Sequence, residues 1–275
     1  MSSIINMRSA SPDLAFLIRE SADAYHAKAK ENLSSHQLGD FRKCPALHRR
    51  KKVGLIGDED RPAYVIGRAV HTLVLEGRDK FEAEYAVGGP INPKTGEVFG
   101  PTTKAYAEWA AAQGKAVLTV QQFDLVENMA DGVRANGMAV DLLSEGIPEG
   151  VVRCDYRDVP SQIRMDWFDA HRGIVDLKTC DDLTWFEADA RRYGYAHQLA
   201  FYRAVLQQVI GVAMPVYLLG VEKKEPYRAG VWKLTDDALA QAQKENEAAI
   251  ERLKRCVATD TWPTGYEECR VFDFT

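Results

Sequence analysis

Cysteine is scarce and unpaired in this 275-residue chain. Cys44, Cys154, Cys180, Cys256 and Cys269 make an odd set of five with no C-x-x-C spacing. That excludes a zinc site built from neighbouring thiolates and points to free thiols in a reducing compartment. No apolar run reaches the roughly eighteen residues that would suggest a membrane span. The N-terminal MSSIINMRSASPDLAF lacks the basic-then-apolar pattern of a secretory signal, so a cytoplasmic location is expected. There is no internal repeat and no low-complexity segment. Excess positive charge is also absent: 35 Lys and Arg stand against 40 Asp and Glu, a formal net charge of −5. Such a balance does not advertise nucleic acid as a partner, although a basic groove can sit on an acidic body. The compact run His48-Arg49-Arg50-Lys51-Lys52 and the pairs Arg191-Arg192 and Lys223-Lys224 are the local exceptions. Taken alone, each reads as a solvated face ahead of a binding patch.

What is present is a 46% hydrophobic content, enough for one large core. Residues 1–30 read as an arm ending in a short helix, RESADAYHAKAK, and residues 31–275 as one domain. LSSHQLGDFRKCPALHRR (33–50) reads as a helix capped by Ser34 or Ser35 and ended or bent by Pro45. YVIGRAVHTLVLEGRDKF (64–81) reads as an apolar helix, and 86–103, rich in Gly, Pro and Thr, as a long loop. Residues 104–113 and 120–145 are helical in pattern. Three short strands follow at 151–157, 162–170 and 173–179, with His171-Arg172-Gly173 turning between the last two. A helix from about 184 to 210, strands at 216–223 and 229–234, and a helix from Asp236 to about Val257 complete the order. The expected fold is α/β, a mixed sheet flanked by helices on both faces.

Within IVDLKTC (174–180), Asp176 and Lys178 are two apart and share a strand face, while Leu177 points the other way. The preceding strand carries Asp166, and strands joined by a short turn are antiparallel neighbours, so the carboxylates approach each other. Paired carboxylates repel unless neutralised, and a hard divalent cation such as Mg²⁺ does this while keeping waters for a phosphate and a nucleophile. A lysine beside it adds positive charge where a phosphate accumulates negative charge. On that motif alone an ordinary surface ion pair is the leading account of Asp-x-Lys. Three further features favour chemistry. His71 sits in the apolar helix and offers an imidazole. Gln198 and Tyr202, four apart, share a helix face. Arg164 shares a strand face with Asp166 and suits a carboxylate or a phosphate. Glu76 and Asp182 are nearby acids that read as solvated.

Taken together, LSSHQLGDFRKCP, GRAVHTLVLE, RMDW, IVDLKT and HQLAFY resemble the motifs of the PD-(D/E)XK nucleases. In order and spacing they are most similar to the phage RecE-type exonucleases and more distantly to the RecB nuclease domain and lambda exonuclease. The resemblance spans about residues 22–270 and implies a restriction-endonuclease-like core. It implies that His71, Asp166, Asp176 and the Leu177 backbone carbonyl hold Mg²⁺, for which Mn²⁺ can substitute. It further implies that Lys178 activates water and that Gln198 and Tyr202 form the Gln-x-x-x-Tyr motif. The proline that often precedes the first aspartate is replaced here by Met165. Only Cys256 and Cys269 lie late enough to join Cys44, so no iron–sulfur cluster is expected.

The implied activity is resection of linear double-stranded DNA from the 5′ end, leaving a 3′ overhang for a RecT-like single-strand annealing recombinase. A ring-like trimer or tetramer and a bacterial or phage-encoded source belong to the same expectation. Arg49, Arg50, Lys51, Lys52 and Arg164 are the candidate DNA contacts. The alternatives are an endonuclease or single-strand-specific nuclease on the same fold, or a non-catalytic DNA-binding module.

Overall fold

The computed structural model describes residues 14–57 and 62–272. The first thirteen residues of the expected arm lie outside that range. The chain enters along the edge of the main sheet, where Ile18 bridges Val151. Helix α1 (Ala22–Ala27) follows, capped by Ser21 and continued by a 3-10 turn. The segment 33–50 is two helices, α2 (Ser35–Lys43) and α3 (Pro45–Lys52). Ser34 caps α2 in a reciprocal box: its hydroxyl accepts from the Gln37 N–H, and the Gln37 side chain accepts from the Ser34 N–H. Pro45 ends one helix and starts the next at its first position, where its missing N–H costs nothing.

The expected single helix at 64–81 is also divided. Helix α4 (Pro62–His71) runs into a π-helical turn (Thr72–Glu76), and Gly77, at φ 91°, redirects the chain into α5 (Arg78–Glu84). Two three-residue strands then pair in parallel, β1 (Tyr85–Val87) and β2 (Ala116–Leu118), flanking α6 (Lys104–Gln113). Both fall below the length at which a pattern shows in sequence. The stretch 120–145 breaks at Asn136, whose side chain caps the second piece, giving α7 (Val120–Ala135) and α8 (Gly137–Leu142).

The main sheet comprises β3 (Ile147–Tyr156), β4 (Val159–Asp169), β5 (Gly173–Cys180), β6 (Val216–Glu222) and β7 (Ala229–Lys233), in that spatial order. Only β5 and β6 are parallel. Their crossover carries α9 (Phe186–Tyr193) and α10 (Tyr195–Ile210), separated by Gly194. The last helix is α11 (Asp236–Thr259). Helices α2, α10 and α11 cover one face through Leu38, Phe41, Leu199, Phe201 and Ile250. Helices α4, α5, α7 and α8 cover the other through Val70, Phe81, Met129 and Leu142. This is the mixed α/β sheet with helices on both faces that the pattern predicts. No helix among the described residues is long and apolar enough to cross a membrane.

Strand β5 is fixed in depth by its buried side chains. Val175 and Leu177 join the core under α4 and α7, while Ile174 joins the core under α10. Complete burial of Leu177 is worth about 1.5–3 kcal/mol. Sliding β5 by one residue would expel it and exchange the faces of Asp176 and Leu177.

Candidate active site

The registers of β3, β4 and β5 place Glu149 opposite Asp166 and Asp166 opposite Asp176, a row of three carboxylates across adjacent strands. At this row the ladder opens. Between β3 and β4 the pairing skips Glu149 and Asp166, and between β4 and β5 it stops at Trp167 and Val175. The Leu177 N–H that a neighbouring strand would have bonded goes instead to the Asp166 carboxylate, at 2.8 Å. Glu149 lies at φ 55°, a left-handed conformation that costs a non-glycine residue about 1–2 kcal/mol.

His71, at the end of α4, brings its Nδ1 to 3.5 Å from Asp166 Oδ2. The Leu177 backbone lies beside the ring as well and, like Asp166, favours its protonated form. Burial pushes the His71 imidazole below its usual pKa, against the pull of Asp166. The ring is therefore neutral at pH 7 and keeps a lone pair to donate. His71, Glu149 and Asp166 offer ligand atoms that all lie within 4.8 Å of one another.

Asp176 is fully buried beside this triplet. Lys178 makes an ion pair with its Oδ2, and Gln198 Nε2 donates to its Oδ1 at 3.2 Å. Gln198 Nε2 also donates to the Tyr202 hydroxyl, at 3.1 Å. Burial raises the Asp176 carboxyl to about 7, with Lys178 opposing and Asp166 reinforcing the rise. Burial likewise pushes Glu149 up to about 8, with the Asp166 charge adding to it. For Lys178, burial works against the charge, but Asp176 and Asp166 outweigh it and hold the pKa above the usual lysine value. Lys178 is thus a cation at neutral pH, suited to donating hydrogen bonds and offsetting negative charge.

All the sequence-derived residues of the centre, His71, Asp166, Asp176, Leu177, Lys178, Gln198 and Tyr202, meet in one place. Glu149 was not among them. Pro148 and Gly150 flank it and read as turn residues, which placed the start of the strand at 151 instead of 147. Arg164 lies beside the row but is engaged: its Nε is 2.7 Å from Glu149, so the structure pairs it with a carboxylate. The basic run on α3 is split. Arg49 pairs with Asp260 at 3.6 Å and lies over Trp262, and Lys51 pairs with Asp40 at 2.9 Å, while Arg50 and Lys52 are exposed. Among the described residues none of these ion pairs involves the carboxylate row. Cys44 caps α3, its sulfur accepting from the Leu47 N–H.

Residues 34–275 match a family described as a PDDEXK-like domain of unknown function (DUF3799). The chain belongs to this PDDEXK-like family. The Asp166, Asp176-x-Lys178 constellation on adjoining strands is the pattern for which the PD-(D/E)XK nuclease superfamily is named. Among solved structures, a presumed exonuclease from Eubacterium rectale superposes with a TM-score of 0.67. It is 20% identical, over 94% of this chain and 96% of that one. At that identity the likeness speaks for the fold. No curated protein matches the chain.

As a donor set, the centre of this PDDEXK-like domain fits a divalent cation. Glu149, Asp166 and a neutral imidazole bring ligand atoms together with Asp176 beside them, and burial drives Glu149 and Asp176 toward protonation. Hard oxygen donors with one nitrogen suit such an ion.

Proposed function

We propose that the protein is a divalent-cation-dependent deoxyribonuclease. The reading rests above all on the carboxylate row Glu149–Asp166–Asp176 at the opened ladder, with Lys178 paired to its innermost member. His71, Asp166, Asp176, Glu149 and the Leu177 carbonyl are the groups that would hold the cation, Mg²⁺ by preference or Mn²⁺ in its place. When bound, such an ion polarises a phosphate oxygen and lowers the pKa of a water. Lys178, held cationic, donates to the attacking water or the scissile phosphate and offsets the charge that grows as the phosphorus–oxygen bond breaks. Gln198, itself bonded to the Tyr202 hydroxyl, holds Asp176 in place from α10. Arg164 keeps Glu149 oriented toward the centre.

The finer reading is an exonuclease that resects linear duplex DNA 5′→3′ and leaves a 3′ overhang for a RecT-like annealing recombinase, working as a ring-like homo-oligomer. The motif resemblance supports it, as does a structural neighbour itself described as a presumed exonuclease. Arg50 and Lys52, exposed on α3, are the stronger candidates of the basic run for phosphate contact, with Arg49 and Lys51 beside them. The test is release of nucleotides from linear and from closed circular duplex, with Mg²⁺ and with EDTA. Mg²⁺-dependent release from linear DNA alone is expected. Cleavage of closed circles would make the protein an endonuclease, and unchanged activity in EDTA would remove the metal from the scheme.

A further inference from the structure

Helices α9 and α10 meet at Gly194, which adopts a left-handed conformation at φ 72°. Residues two apart on a continuous helix point away from each other. The break at Gly194 instead stacks Tyr193 on Tyr195, with ring centroids 6.0 Å apart and planes within 30°. Lys178 Nζ lies over the Tyr195 ring at 5.2 Å. Arg192 lies over the Tyr193 ring at 5.6 Å. A ladder of alternating cation and ring therefore runs Lys178–Tyr195–Tyr193–Arg192, from the side chain paired with Asp176 out to solvent. Tyr195 is half-buried, whereas Tyr193 is 61% exposed. Arg192 is exposed and has no carboxylate partner among the described residues, while its neighbour Arg191 pairs with Glu187.

Packing of the helix junction explains Tyr195 but not Tyr193, whose large ring spends most of its surface on water. Nor does it explain an unpaired arginine on that ring. Open aromatic faces beside guanidinium groups are the chemistry that takes unpaired bases: the ring stacks the base, and the arginine leaves the ring for the adjacent phosphate. A paired duplex hides its base faces and cannot use such a ladder.

We propose that Tyr195, Tyr193 and Arg192 form a binding track for unpaired single-stranded DNA leading to the Lys178 end of the reaction centre. The inference deepens the nuclease reading and rests on it for the identity of the strand. In that reading the track takes a strand only once the duplex end has been opened at the reaction centre, so a blunt duplex held in EDTA, its bases still paired, does not engage it.

Binding can be measured separately from cleavage. A short 3′-fluorescein oligo(dT) and a blunt duplex are titrated by fluorescence anisotropy in EDTA, with gels confirming intact strands. Tyr193→Ala should weaken oligo(dT) binding about tenfold, the worth of one stacked base, and leave the blunt duplex unchanged. Tyr193→Trp should retain binding, which also shows that the site is folded. Arg192→Ala should lower the slope of log affinity against log salt by about 0.7, one phosphate contact on a single strand. Oligo(dT) affinity unchanged in Tyr193→Ala, or an equal loss for both probes, would overturn the track, as would no oligo(dT) binding by the unmodified chain. Tyr193-dependent binding by a protein that cleaves no DNA would sink the nuclease reading and leave the track standing. Cleavage with Tyr193-independent binding would do the reverse.

Discussion

At one level of the main sheet, Glu149, Asp166 and Asp176 occupy β3, β4 and β5, while Leu218 and Trp232 continue the same row on β6 and β7. One half of the row is acidic and the other apolar. The difference follows the backbone. Between β5 and β6 the ladder is continuous from Ile174–Val216 to Cys180–Glu222, so strands satisfy one another and the side chains are free to be core. Between β3, β4 and β5 the ladder opens at this row, and a side chain, Asp166, replaces a strand as partner of the Leu177 N–H. An opening costs hydrogen bonds, a left-handed Glu149 and buried charge, and it recurs at both gaps of the acidic half. Features that weaken a fold at one spot while the surroundings are well packed are the usual mark of function.

The largest expected effect comes from neutralising the acidic half. Asp176→Asn keeps the shape and the Gln198 contact but removes the charge opposite Lys178. Cleavage should fall by about 10²–10³ or more, with circular dichroism unchanged. Activity near that of the unmodified enzyme would take Asp176 out of the reaction. The reciprocal change puts a charge in the apolar half. Leu218→Asp adds a carboxylate to a core position that is 4% exposed and lies directly opposite Asp176 on the neighbouring strand. It should cost roughly 3–5 kcal/mol in denaturant unfolding. A mild effect would mean that the two halves tolerate charge alike and that the opened ladder is irrelevant. A smaller effect is expected where α10 supports the acidic half. Gln198→Leu removes the bond to Asp176 and the one to Tyr202. Such supporting contacts are worth about 10–100-fold in activity, and the loss should fall on kcat more than on KM.

The contrast also shows what was legible in the residues. Alternating strands separated by tight turns, with a helix between β5 and β6, were enough to give the sheet. The β4–β5 hairpin was enough to bring Asp166 to Asp176. Periodicity did not show where helices break. Gly77, Asn136 and Gly194 divide three stretches that read as continuous, because one residue with unusual dihedrals leaves the apolar spacing on either side intact. Glu149 was hidden for a related reason. Pro148 and Gly150 are turn formers by local preference, and tertiary pairing to Trp167 and Met165 overrides them. The strands β1 and β2 are too short to carry an alternation at all. The opening of the ladder has no sequence signature, since it consists of hydrogen bonds that the register would permit and the backbone does not make.

The subtlest test concerns the pH dependence of the metal-free fold, to which only the acidic half of the row should contribute. Glu149 and Asp176 are both raised, to about 8 and about 7, chiefly by burial. In the unfolded chain both give up their protons near the usual carboxylate value, about 4. Between about pH 4 and pH 8 these two groups bind more protons in the folded protein than in the unfolded one, so their contribution to stability falls as pH rises, while His71 and His48, whose charged forms burial disfavours, act in the opposite sense. The apolar half has no such dependence. In EDTA the Tm of the unmodified chain relative to that of Glu149→Gln should decline from pH 5 to pH 8, the buried histidines being common to both. Adding Mg²⁺ at pH 8 should raise the Tm, and calorimetry in buffers of different ionisation heat should show proton release on binding at pH 6 to 7. A Tm difference that does not decline with pH would mean that the row is stabilised by positive charge already present, with Arg164 and Lys178 sufficient for it. Glu149 would then be a structural partner of Arg164, and the donor set for a cation would shrink to His71, Asp166 and Asp176.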